Sequence, residues 1–124
     1  MEKTELTKEE QLSTLRRLAR DQAFIDFLGT KFANFKRFGI EGLNSGTTGL
    51  GQLVETAAQL GVENIQLGMA HRGRLNTLHC VLEKPAQLIF REFLEKVNSE
   101  DRDEFSGDVK YHLGYIHKKK VGDK

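Results

Sequence analysis

The chain has 124 residues, 38% of them hydrophobic and 30% charged, with a formal net charge of +1. That is the length of one domain with a thin core. The near-neutral charge offers no field to gather nucleic acid or an anionic membrane surface, and no apolar run approaches the ~20 residues that span a bilayer. Met1 to Glu5 is charged and unlike a signal or transit peptide, and the single Cys80 cannot form an internal disulfide, in keeping with a soluble protein of a reducing compartment.

Thr7-Lys8-Glu9-Glu10 has the pattern of a capping box. It predicts a helix to about Leu28, with Gly29 as its stop. Leu12, Leu15, Leu18 and Ala19, extended by Ala23, Phe24, Phe27 and Leu28, recur at helical spacing and assign this helix to packing. From Lys36 to Gly42, Phe38 and Ile40 alternate with charged residues and predict a short strand.

The glycine-rich run from Gly42 to Gly51 is not a phosphate loop, because it lacks the Gly-Lys-Ser/Thr ending. Nor is it a dinucleotide fingerprint, since Val54 stands where Gly or Ala is needed for close packing. Each interior glycine costs about 1 kcal/mol of helix stability relative to alanine, so the first helical turns here are expected to be loose. A helical pattern resumes from Leu50, with Leu53, Val54, Ala57, Ala58 and Leu60 on one side and Gly61 as cap. Val62 to Met69 then reads as a short, largely buried strand. Strand, helix and strand make one βαβ unit with parallel strands, an α/β architecture. Ligands in such sheets sit beyond the carboxyl ends of the strands, here at His71-Arg72-Gly73.

The turn itself, Gly68 to Asn76, combines two glycines, two arginines and a histidine. Glycine permits positive φ and close backbone approach. Arginine offers a planar fork for carboxylate or phosphate, and histidine exchanges a proton near neutral pH. N–H groups at a helix start favour an anion. The alternative is a surface turn whose arginines pair with nearby acids.

A helix is predicted from about Leu75 to Leu82. His79 and Cys80 diverge on it and no second cysteine exists, so His79 reads as a satisfied, partly buried histidine and not as a metal ligand. Pro85 opens another helix, with a stripe of Ala86, Ile89, Phe90, Phe93, Leu94 and Val97. An acidic loop covers 98–106. In Gly107 to Gly114, Lys110 and His112 alternate onto one face, and Tyr115 to Lys124 reads as a weak, solvated basic tail.

Three stretches carry a resemblance. Gly68 to Asn76 is similar to the GMxHRGRLN segment of the thiamin-diphosphate-dependent 2-oxoglutarate dehydrogenases, Lys36 to Gly42 to their KRFxxEG, and Gly107 to Gly114 to their GDVKYHLG. The matches stand in family order and run from roughly Leu15 onward, over an early slice of a much longer enzyme. The resemblance implies one partial thiamin-diphosphate-binding-type domain over 1–124: an N-terminal helix (1–29), the βαβ unit (36–82), a helix (85–98) and the 107–114 segment. It implies that His71 and His112 are catalytic and contact a 2-oxo dicarboxylic acid substrate, with Arg72 and Gly73 on the cofactor side. It further implies Mg²⁺ held by residues absent from this chain, a homodimer, and a lipoyl-bearing succinyltransferase partner. The compartment implied is the mitochondrial matrix in a eukaryote and the cytoplasm in a bacterium. The related 2-oxoadipate dehydrogenase, a non-catalytic anion-binding remnant and a purely structural remnant are the alternatives. The family has an aliphatic helix where this chain has its glycine-rich run.

Overall fold

The computed structural model describes residues 5–98 and 114–121. Among them the regular structure is helical: α1 (Lys8–Lys31), α2 (Asn44–Gln59), a three-residue helical turn α3 (Arg74–Asn76) running into a π-helical turn (Thr77–Val81), and α4 (Ala86–Asn98). The capping box forms as predicted. The Thr7 N–H donates to Glu10 Oε2 at 2.8 Å, and the Glu10 N–H donates to Thr7 Oγ1 at 3.3 Å. Gly29 does not stop α1, which continues to Lys31. It instead gives room to Arg37, whose Nη1 lies 3.0 Å from where a β-carbon would stand.

The core is built largely of phenylalanine. Phe24, Leu28 and Phe32 from α1 and its C-terminus meet Leu75, Ile89 and Phe93, with Phe35, Phe38, Ala86 and Phe90 packed around them. The Phe32 and Phe93 rings stack with centroids 4.8 Å apart, and Phe35 meets Phe93 edge-on at 5.3 Å. Such ring pairs add about 0.5–1.5 kcal/mol each beyond the area they bury. Ile89 and Phe93 of the stripe read on α4 are buried, while Leu94 of the same stripe is 54% exposed. Beside them Lys84 is buried with its Nζ 2.6 Å from Glu92 Oε1.

Two aliphatic faces read from the sequence are not core faces. Leu12 and Leu15 of α1 are 47% and 61% exposed, and Leu53 and Leu60 of α2 are 54% and 81% exposed. The buried residues of α1 are Asp21, Phe24 and Leu28, and those of α2 are Thr47 and Gly51. The helices therefore meet through small and polar side chains. Arg17 lies over Gly51, where no β-carbon stands in its way, and its Nη2 pairs with Glu55 Oε2 at 2.6 Å. The glycine-rich start of α2 is helical, and contacts with α1 work against its poor intrinsic propensity. At its far end Gly61, at φ +91°, donates to Ala58 O at 3.0 Å, while the Val62 N–H donates to Ala57 O at 3.0 Å, a Schellman cap.

The expected βαβ unit is not formed among the described residues. Lys36 to Ile40 and Val62 to Met69 are irregular or extended, without strand pairing. Phe38 at φ +43° interrupts the first, and its carbonyl accepts from Gly73. The second is exposed, not buried, with Val62, Ile65 and Leu67 at 45%, 38% and 36%. Alternation predicts which residues suit a strand. A strand also needs a neighbour to take its backbone hydrogen bonds.

Candidate functional site

The irregular segment 62–69 ends at Met69, and the turn that follows is fixed from several sides. Gly73 adopts φ +69° ahead of α3, with Ile40 Cδ1 3.0 Å from where a β-carbon would be, so a side chain there would meet both strain and a clash. Its N–H donates to Phe38 O at 2.7 Å. The Arg74 N–H donates to His71 O at 3.1 Å, and Arg74 Nη1 reaches back to Met69 O at 2.7 Å. Thr77 closes the turn, its N–H and Oγ1 both donating to Gly73 O, at 2.9 and 3.1 Å. The segments carrying KRFGIEG and GMAHRGRLN are therefore brought together, Phe38 and Ile40 of the first forming the support for the second.

On this support His71 is exposed, its ring centroid 4.2 Å from that of Phe38. Arg72 is also exposed. It lines a cavity of about 170 Å³ whose walls are chiefly Ile40, Leu43, Leu50 and Met69, with Glu41 as the second charged residue. Gly73 and Arg74 already spend their N–H groups inside the protein. Arg74 braces the loop. His112 lies outside the described residues, as does the rest of 107–113.

Beneath the turn lies a group that periodicity did not single out. Asp21 is completely buried, and its carboxyl oxygens accept from Asn76 Nδ2 at 2.8 Å and Thr47 Oγ1 at 3.1 Å. The signal was present in the sequence, because Asp21 shares the spacing of Phe24 and Leu28 and so puts an acid on the buried face of α1. Burial first, then Asp21, pushes the Cys80 thiol up to about 12.

His79 is the satisfied histidine expected. Its ring stacks on Phe24 with centroids 4.5 Å apart, and Nδ1 lies 2.9 Å from Lys84 O. Burial holds its pKa below the ordinary histidine value, against the opposing pull of the Lys84 carbonyl. The basic tail, by contrast, is not simply solvated. Lys119 Nζ lies 2.7 Å from Glu83 and 3.4 Å from Glu55, and His117 Nε2 lies 3.4 Å from Glu83. Hydrogen bonding from Lys119 draws the Glu83 carboxyl below its usual range.

Among the described residues no group of three or more His, Cys, Asp or Glu is placed to hold a metal, and no helix is long and apolar enough to cross a membrane.

No protein-family model matches the chain. Curated proteins do match it, and the chain is homologous to a segment of a family of oxidoreductases that oxidise 2-oxo acids. That family is 2-oxoglutarate dehydrogenase. The chain is 52% identical to the mitochondrial 2-oxoglutarate dehydrogenase of Saccharomyces cerevisiae over 87% of its own length. It is 51% identical to that of Schizosaccharomyces pombe over 79%. It is 43% identical to the 2-oxoglutarate dehydrogenase E1 component of Brucella ovis over 90%. It spans about a tenth of the length of each, 11%, 10% and 11% respectively.

Proposed function

We propose that this chain is a part of the thiamin-diphosphate-dependent first component of 2-oxoglutarate dehydrogenase, and that it contributes the substrate-facing turn and not a whole catalytic centre. The observation that carries the reading is the turn from Gly68 to Asn76. It holds an exposed imidazole on a braced loop, in a stretch homologous to that dehydrogenase. In the intact enzyme His71, together with His112, orients the 2-oxo dicarboxylic acid and moves protons at its oxo group. Arg72, beside an apolar cavity, supplies fixed positive charge for an anionic group, and Gly73 supplies the conformation that puts Arg72 there. Thiamin diphosphate, when bound, supplies the carbanion stabiliser that no side chain offers. Its Mg²⁺ ligands belong to parts of the enzyme beyond this chain. The segments 36–42 and 62–69, the second of them exposed here, become parallel strands of an α/β sheet completed by those parts. The intact enzyme is a homodimer that passes its succinyl group to a lipoyl-bearing partner.

Two measurements test this. In the intact dehydrogenase carrying this segment, His71→Ala lowers kcat/KM for 2-oxoglutarate by about 100-fold, the scale of a lost proton-transfer group. Unchanged turnover would remove His71 from the site. The 124-residue chain alone is melted with and without thiamin diphosphate and Mg²⁺. A ligand at a hundred times its Kd adds about 2.7 kcal/mol to a folded site, several degrees in a domain of this size. The expected result is no shift, and a clear shift would mean that the segment carries its own cofactor site.

A further inference from the structure

We propose that Asp21 is the positioning residue for His71, acting from the interior of α1 through Asn76 to hold the turn on which His71 is displayed. The proposal rests on the function proposed for that turn.

Asp21 is 0% exposed and is hydrogen-bonded to two separate parts of the chain: Thr47 near the start of α2 and Asn76 in α3. A buried carboxyl group is costly unless its oxygens are satisfied, so the site is stable only when all three elements are in register. Asn76 is itself only 2% exposed and donates its amide to Asp21. It belongs to the same helical turn as Arg74, whose N–H donates to His71 O and whose guanidinium reaches Met69 O. Pulling Asn76 away from Asp21 therefore loosens both ends of the His71 loop. The Phe38 ring lies against His71, and the hydrogen bonds beneath the loop fix the backbone that carries it. Thr47 can also accept, having its own bond to Asn44 O at 3.0 Å. An asparagine at position 21 is thus able to keep the arrangement, its carbonyl facing Asn76 and its amide facing Thr47.

The test uses the intact dehydrogenase and four variants: Asp21→Ala, Asp21→Asn, His71→Ala, and Asp21→Ala with His71→Ala. Asp21→Ala should lower kcat/KM for 2-oxoglutarate about tenfold while the Kd for thiamin diphosphate stays within twofold. Asp21→Asn should recover activity to within about threefold of the parent. In the His71→Ala background, Asp21→Ala should cost nothing further, the non-additivity expected when two residues act as one unit. Equal losses in both backgrounds, or a parallel loss of cofactor affinity, would make Asp21 a general packing residue and overturn the proposal. The His71 imidazole proton resonance should move in Asp21→Ala and return in Asp21→Asn. An unmoved resonance overturns the positioning whatever the activity. Full turnover by His71→Ala with a moved resonance would instead overturn the function assigned to the turn.

Discussion

Arg17 crosses α2 directly over Gly51, and its guanidinium pairs with Glu55 one helical turn further on. The glycine that weakens the helix is also the gap through which the helix is held.

Two alanine substitutions separate these effects. Gly49 has nothing within 4 Å of an added β-carbon, so Gly49→Ala should stabilise the chain by about 0.5–1 kcal/mol. At Gly51 the same change displaces Arg17 from its half-buried pair, a loss of up to about 1 kcal/mol that offsets the gain. Urea unfolding should therefore rank Gly49→Ala above Gly51→Ala. Equal stabilisation would show that Arg17 moves aside without cost.

Gly73→Ala should destabilise. The left-handed conformation costs a residue with a side chain roughly 1–2 kcal/mol, and Ile40 must also give way. In the intact enzyme this variant should lose turnover together with His71→Ala. A stable and fully active Gly73→Ala enzyme would remove the need for this backbone geometry.

Acid should loosen the chain through His79. Its pKa is lowered on folding, so at pH values below the ordinary 6.5 the unfolded state binds the proton more readily than the folded state. Stability is level above that pH and falls as pH drops through it, well before Glu83, lowered from 4.5, begins to contribute its own acid loss. His79→Gln should flatten the upper part of this profile, read as the unfolding midpoint across a pH series. An unchanged profile would assign the acid sensitivity elsewhere.

Cys80 should resist thiol reagents while the chain is folded. With the thiol pushed from 9.0 to about 12, its thiolate fraction at a given pH falls roughly a thousandfold. Labelling by iodoacetamide should be slow in buffer and fast in denaturant. Asp21→Asn should speed the native reaction, since Asp21 is among the causes of the shift.

Elements written in local chemistry were legible in the sequence: the Thr7 box, the Gly61 cap, the Ala86, Ile89, Phe90 and Phe93 part of the α4 stripe and the satisfied His79. Faces were less so. Leu12, Leu15, Leu53 and Leu60 have the spacing of core residues, yet the neighbours that decide burial lie on other elements, and the chain packs α1 on α2 through Asp21, Thr47 and Gly51 instead. The two strands were read from alternation, which describes a side-chain pattern and not a partner. At the turn His71 and Arg72 are exposed, while the Gly73 and Arg74 amides are engaged with the Phe38 and His71 carbonyls, a use that residue types did not announce. Asp21 was hidden because an acid on an apolar stripe looks like an exception until its donors are seen.

The π-helical turn from Thr77 to Val81 has one further consequence. A π turn holds an extra residue relative to an α turn, and an α-helix rotates about 100° per residue. The π turn thus carries five residues through about the rotation that four take in ordinary helix. Winding all five as ordinary helix would carry the chain further round and swing everything after it, Pro85 and α4 included, to a new heading. The aromatic stack between α1 and α4 would lose its alignment although none of its rings had been altered.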